Sequence, residues 1–276
     1  MNTKLNLNCI LNQLNKVLHF TPWKTNIQNN QIIKQSIKAF KLLTKNKTKS
    51  KTIHRLCGQS GTGKTSQLLP SIQTALQQKN NFPIILAVRC FAPFHPNYNK
   101  LAIKNKKNLR ENTNGFALRC LFLCTVLCLK NGYSIVYDVT LLNMPYEKLL
   151  EQYLKQFGYQ QIFHLIALHP SISNFFIKKR TFDKNNKEFG RKIKTSSKKF
   201  FIKTLTQNLK YKYKTKQNTP CIVWSPFLLK PVFIGPIKNC YSVYKKYRKV
   251  KNKIILPEIK LLESKTTFYK NYIKIF

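Results

Sequence analysis

The chain has 276 residues, 43% of them hydrophobic, with a formal net charge of +42. That apolar content builds the core of one large domain, or of one domain with appendages, and excludes a purely disordered polyelectrolyte. The charge suggests phosphate neutralisation, but only seven of the fifty basic residues are Arg and the lysines run along the whole length rather than in one stripe. Lys, Asn, Ile, Phe and Tyr all have AT-rich codons, so base composition is the preferred source of the charge. Non-specific affinity for polyanions follows either way.

Residues 1–50 read as a helical extension with a Lys-rich linker at "TKNKTKSK". A short strand over Thr52–Cys57 leads into a glycine-rich turn and a helix from Gly63 to about Lys79. Pro70 falls inside that helix and is expected to kink it, since it has no N–H and crowds the preceding turn. Pro83–Val88 reads as a second strand. A long apolar helix follows, capped near Asn112 or Asn114 and stopped at Gly132. "YSIVYD" reads as a buried strand and "MPYEKLLEQYLKQFGY" as an amphipathic helix with Pro145 in its first turn and Gly158 at its end. "QQIFHLIAL" is a further strand and "HPSISNFFIKKRTF" a helix. A loop or lid at "DKNNKEFGRKIKTSS" precedes a helix to about Lys212, and "CIVWS" is the last strand. The alternation predicts an α/β domain over 51–235, with a parallel sheet flanked by helices on both faces. Residues 236–276 are a basic, aromatic tail with no assigned element.

The eight cysteines form no CxxC pair. Cys120, Cys124 and Cys128 share one helix face, and small apolar packing is preferred to a metal site. The N-terminus lacks a signal peptide's apolar centre, and the run Leu121–Leu129 is too short to span a bilayer. The expectation is a soluble protein of a reducing, cytoplasmic compartment.

The chemistry is concentrated in a few places. "GQSGTGKTS", comprising Gly58, Gln59, Ser60, Gly61, Thr62, Gly63, Lys64, Thr65 and Ser66, matches G-x-x-x-x-G-K-[ST] between a strand and a helix. Its backbone N–H groups are suited to cradle phosphate, Lys64 to reach the β/γ-phosphates, and Thr65 to ligate Mg²⁺. Asp138 closes an apolar strand and is one of only two aspartates in the chain. An acid there faces the nucleotide crevice, with three roles open: binding Mg²⁺ through water, orienting an acceptor hydroxyl, or taking its proton. Arg180 and Arg191 supply forked donors for a transferring phosphoryl group. His95, in the loop after the second strand, is a substrate contact or base if it faces the site; a lone loop histidine otherwise hydrogen-bonds locally.

Taken in order, the P-loop, "HPNY", "NGYSIVYDVT", "FGYQQIFHLIALHPSISNFFIKKR" and "FGR" resemble the zeta-toxin family of P-loop kinases over about Thr52 to Trp224. The resemblance implies a P-loop NTPase- or kinase-like three-layer fold, ATP or GTP with Mg²⁺ as co-substrate, and phosphorylation of a sugar hydroxyl of UDP-N-acetylglucosamine. It also implies a small helical antitoxin that blocks the nucleotide site. It places Lys64 and Thr65 at the phosphate and Mg²⁺ positions, Asp138 and Thr140 on the sugar substrate, and Arg180 and Arg191 on phosphates. One departure stands out. The family's catalytic Asp lies six residues before the His-Pro histidine, and here that residue is Arg89, which accepts no proton.

Three consequences are open at this level. Asp138 or His95 takes the base role, nucleotide and ligand bind without efficient transfer, or Arg89 binds an anionic group of a different substrate. Two other readings stand beside an attenuated kinase. One is a nucleic-acid-binding P-loop ATPase, which the charge supports. The other is a non-catalytic nucleotide-binding relative.

Overall fold

The structure is a computed structural model, and it describes residues 5–18, 25–59, 61–104, 108–139, 144–170, 172–174, 176–177, 195–215, 217–225 and 230–249. The chain divides into two compact units. The first comprises Met1–Lys51, Pro83–Ile135 and Pro145–Tyr159; the second comprises Thr52–Phe82, Val136–Met144 and Gln160–Phe276.

The first unit is built on one buried helix. Its elements are α1 (Leu7–Leu18), α2 (Asn29–Leu43), β2 (Ile84–Leu86), α4 (Val88–Phe91), α5 (Tyr98–Lys104), α6 (Leu109–Lys130) and α7 (Met144–Gln156, from Pro145 onward). Helix α6 is apolar on every side, as a helix must be when neighbours cover all its faces; Phe116, Leu121, Phe122, Cys124 and Val126 are wholly buried. It is long and apolar enough to cross a membrane, and most of it lies inside the protein. Helices α1, α2, α4 and α5 all pack on it. Phe122 meets Tyr146 and Tyr153 edge-on at 5.3 and 5.9 Å. Arg119 ties α1 to α6, its Nε donating to Asn15 Oδ1 and a terminal nitrogen to Gly115 O, both at 2.8 Å. The thiols of Cys120 and Cys128 are buried on one face, and burial pushes the Cys120 thiol up to about 12. Such groups pack as small apolar residues and stay protonated.

Two sequence expectations are corrected in this unit. Helix α6 starts at Leu109 behind Asn108, not at Asn112 or Asn114. The residues Leu-Arg-Glu before Asn112 are good helix formers, and Glu111 in the first turn suits the positive end of the helix. The second strand stops at Leu86. Ala87 is extended, and Val88–Phe91 turns helical, with Cys90 N–H donating to Ala87 O at 2.9 Å. Burying Phe91 on the α6 side overrides the strand preference of Val88. Strand β2 runs beside the start of β3 (Ile135–Tyr137), and Ile84 N–H donates to Ser134 O at 2.8 Å.

The second unit holds the remaining sheet, in the order β3-β1-β4-β5-β6. Here β1 is Thr52–Cys57, β4 Gln160–Ile166, β5 Pro220–Ser225 and β6 Lys230–Pro236. Strands β1 and β4 pair in parallel from Thr52↔Gln160 to Cys57↔Leu165, and β4 and β5 pair in parallel from Phe163↔Cys221. Strand β6 is antiparallel to β5. The sheet is therefore mixed and mostly parallel, with helices flanking it. Helices α8 (Thr195–Lys214) and α9 (Ile237–Lys249) pack together, and α9 lies on β5 and β6. Ile237, Cys240 and Tyr244 of α9 enter a core with Phe163, Leu165, Leu205, Leu209 and Val223. The first residues after Pro236 thus complete this core.

Two cations sit inside that core. Arg55 and Lys212 are almost fully buried, and each lies 5.0 Å from the Phe163 ring centre. Lys212 Nζ also donates to Gln217 Oε1 at 3.2 Å. Attraction to an aromatic face offsets part of the cost of removing such groups from water.

A buried histidine pair gives this unit a pH dependence. His54 Nδ1 and His164 Nε2 are 3.0 Å apart, one ring donating to the other, and the rings stack at 5.3 Å. Burial pushes His54 down to about 4, and burial together with the neighbouring ring pushes His164 down as well. Both rings are neutral in the fold, while the unfolded chain takes up protons below pH 6.5. Stability is therefore present above pH 6.5 and lost as the pH falls towards 4. For His54 alone the loss between pH 7 and pH 5 is about 2 kcal/mol. Urea unfolding at the two pH values checks this. The parent should lose at least that amount relative to a His54→Phe, His164→Leu double variant, since His164 adds to it, and equal losses would refute it.

Candidate active site

Strand β1 ends at the buried Cys57, and the glycine-rich loop follows it. The fold requires glycine at two places. Gly61 has φ +79° and Gly63 has φ +84°, both in the left-handed region. A Cβ on Gly61 would sit 2.5 Å from Ser173 O and 2.9 Å from Ile177 Cγ1. The loop is held from within. Gln59 O accepts from Thr62 Oγ1 at 2.9 Å and from Lys64 Nζ at 2.8 Å, and Lys64 Nζ also donates to Gly58 O at 2.6 Å.

The helix that follows does not begin as an α-helix. Lys64–Leu68 is a π-turn: Leu68 N–H bonds to Gly63 O at 3.2 Å and Leu69 N–H to Lys64 O. Regular α3 (Leu69–Gln77) starts only there, with Pro70 in its first turn. Pro70 has no N–H to continue an i−4 ladder from the loop, so the register changes just before it. The expected proline kink takes the form of this change of helix type.

Asp138 directly follows β3, the strand next to β1 in the sheet, and is 9% exposed. Its Oδ2 accepts from Thr65 Oγ1 at 2.8 Å. A hydroxyl and a carboxylate side by side next to a phosphate loop are hard oxygen donors. They suit Mg²⁺, which is held by one or two protein oxygens together with phosphate and water. When bound there, Mg²⁺ supplies charge stabilisation of the phosphoryl oxygens. Lys64 adds a positive charge to the same loop.

The structure thus gathers Gly58, Gln59, Gly61, Thr62, Gly63, Lys64, Thr65 and Asp138 into one site within the second unit, with Ser66 next to Thr65 on the π-turn. Ser60, Thr140, Arg180 and Arg191 lie outside the described residues. Arg89 and His95 belong to the first unit. Arg89 is exposed on the α4 turn. His95 is buried with its ring edge-on to Phe116, 5.0 Å between centres, and burial lowers its pKa. Its Nδ1 accepts the Asn97 N–H at 3.1 Å. A backbone N–H can only donate, so the neutral ring carries its proton on Nε2 and offers a donor rather than a base. Sequence reasoning missed the side chain of Gln59, whose Nε2 donates to Leu168 O, just beyond β4, at 3.0 Å. A glutamine at an unspecified position of the motif gives no signal for this.

A glycine-rich loop between strand and helix, a lysine and threonine at its end, and a strand-end aspartate on that threonine define a P-loop phosphotransferase. Such an enzyme uses a nucleoside triphosphate with Mg²⁺. The Zeta toxin family profile matches residues 37–223, and the chain belongs to that family. Among solved structures it is similar to a chain from the PezAT chromosomal toxin–antitoxin system of the human pathogen Streptococcus pneumoniae. That match has 20% identity and a TM-score of 0.66, and covers 87% of this chain and 96% of that one. It is also similar to a chain of the AvrRxo1-ORF1:-ORF2 complex, at 14% identity and a TM-score of 0.47, covering 95% of this chain and 84% of that one. No curated protein matches the sequence. At these identities the first likeness shows a shared fold.

Proposed function

We propose that the protein transfers the γ-phosphoryl group of ATP or GTP to a hydroxyl of a nucleotide sugar of the UDP-N-acetylglucosamine kind, at an attenuated rate. The observation that supports this most is the Thr65–Asp138 contact beside the Lys64 loop, in a member of the Zeta toxin family. In the step, the bond from the γ-phosphorus to the leaving diphosphate oxygen breaks. A bond from the acceptor oxygen to that phosphorus forms, and the acceptor's proton passes to the Asp138 carboxylate. Lys64 and the loop hold the phosphates. His95 donates to the substrate through Nε2–H, and Thr140 and Arg89 bind polar or anionic parts of it. Arg180 and Arg191 grip phosphate. A small helical antitoxin belongs to the same reading, supported by the toxin–antitoxin origin of the similar streptococcal structure. A cytoplasmic place of action goes with that substrate.

The test is a transfer assay with UDP-N-acetylglucosamine, labelled ATP or GTP, and Mg²⁺. The parent should label the sugar slowly. Arg89→Asp, on an exposed turn, should raise the rate by roughly 10²-fold, within the range of general-base catalysis. If neither protein labels the sugar although both bind nucleotide, the acceptor is wrong.

A further inference from the structure

Gln59 stands out among the loop residues because its side chain turns away from the loop. It is 3% exposed, and its Nε2 reaches Leu168 O at 3.0 Å. The amide orientation is fixed by that contact, since the opposite flip would set two carbonyl oxygens against each other. Its main-chain oxygen is the one that receives both Thr62 and Lys64. Gln59 therefore links the groups that shape the loop to the chain leaving β4.

A second, independent contact joins the same two segments. Gly61 lies flat on the carbonyl of Ser173, with no room for a Cβ between them. Ser173 and Ile172 are in the first helical turn after β4, where both N–H groups bond to His169 O at 3.1 Å. The loop is thus held against this turn at its start by Gln59 and at its tip by Gly61.

We infer that Gln59 is a positioning residue which, together with the Gly61–Ser173 contact, locks the helical turn after β4 to the phosphate loop, so that a bound nucleoside triphosphate orders both as one body. This rests on the nucleotide-binding reading of the loop. A loop already fixed to its neighbour gives up less freedom when phosphate binds, and that saving appears as affinity. Without the Gln59 amide, Leu168 O loses its donor and the loop loses its anchor, while Lys64 and Thr65 remain in place.

Hydrogen exchange on the parent tests this without any substitution, using ATP with Mg²⁺ as the probe. Amides of Gly61–Ser66 and of Ile172–Asn174 should gain protection together. Gln59→Met keeps the length of the side chain without its hydrogen bond. It should raise the Kd for ATP roughly tenfold and lower kcat/KM in step, leaving kcat at saturating ATP within about threefold, as expected for loss of one buried hydrogen bond. In Gln59→Met the protection of Ile172–Asn174 should fall behind that of the loop. Loop protection in the parent without protection at Ile172–Asn174 overturns the inference alone, as does a Gln59→Met protein with parental Kd. No ATP-dependent protection anywhere, with Lys64→Ala indistinguishable from the parent, overturns the nucleotide-binding reading as well.

Discussion

Asp138→Asn lowers kcat for phosphoryl transfer by roughly 10²–10⁴-fold, the usual range for loss of a general base. The substitution is nearly isosteric, and the Asn side-chain oxygen can still accept the Thr65 hydroxyl that Asp138 Oδ2 accepts at 2.8 Å. The local structure should therefore survive, and what is removed is the charge and the capacity to take a proton. A loss confined to kcat, with nucleotide Kd within a fewfold of the parent at saturating Mg²⁺, assigns Asp138 to the chemical step. A loss that excess Mg²⁺ restores places its role in metal binding instead. Activity within threefold of the parent would show that the acceptor's proton leaves by another route. The described residues give His95 little claim to that role, because its Nδ1 already accepts the Asn97 N–H.

Lys64→Ala removes transfer by at least roughly 10²–10³-fold, the range for deleting a single preorganised donor to developing charge, and it weakens nucleotide binding with it. Lys64 Nζ lies between Gly58 O and Gln59 O, at 2.6 and 2.8 Å, and so is held at the loop by the loop's own carbonyls. Little ordering of this side chain remains to be done when phosphate arrives. Truncation also removes the two bonds from Lys64 to the loop carbonyls, so some fall in the melting temperature without nucleotide is expected. The informative comparison is the rise in melting temperature on adding ATP and Mg²⁺. It should be present in the parent and absent in Lys64→Ala. An equal rise in both would mean that nucleotide binds without the loop lysine, contrary to the role given to this site.

The site was legible where a residue's chemistry is tied to local spacing. Strand, glycine loop, Lys64 and Thr65 form one short pattern, and Asp138 is conspicuous because acids are so few. The contact between Thr65 and Asp138 spans 73 residues of sequence, and was foreseeable only as a shared Mg²⁺ role. Elements decided by tertiary packing were harder to read. Val88 and its apolar neighbours look like strand until Phe91 needs a buried place. Strand β6 is bracketed by Pro231 and Pro236, which argue against a strand except at a sheet edge. Helix α9 carries an apolar stripe of Ile237, Cys240 and Tyr244, at spacings of three and four, hidden among lysines and tyrosines. The buried histidine pair left no sequence signal, because its two members are 110 residues apart.

The two buried cations at Phe163 bear on how this sequence tolerates its own composition. A chain that drifts towards lysine everywhere will sooner or later put one where water does not reach. Lys212 shows how a buried lysine is accommodated: a ring supplies a negative face and a glutamine supplies an oxygen. Phe163 does this for Lys212 and Arg55 at once. An aromatic ring thus acts as an internal solvent for two buried bases. One ring is shared by two charges, which leaves position 163 less freedom to vary than its place in an apolar strand would suggest.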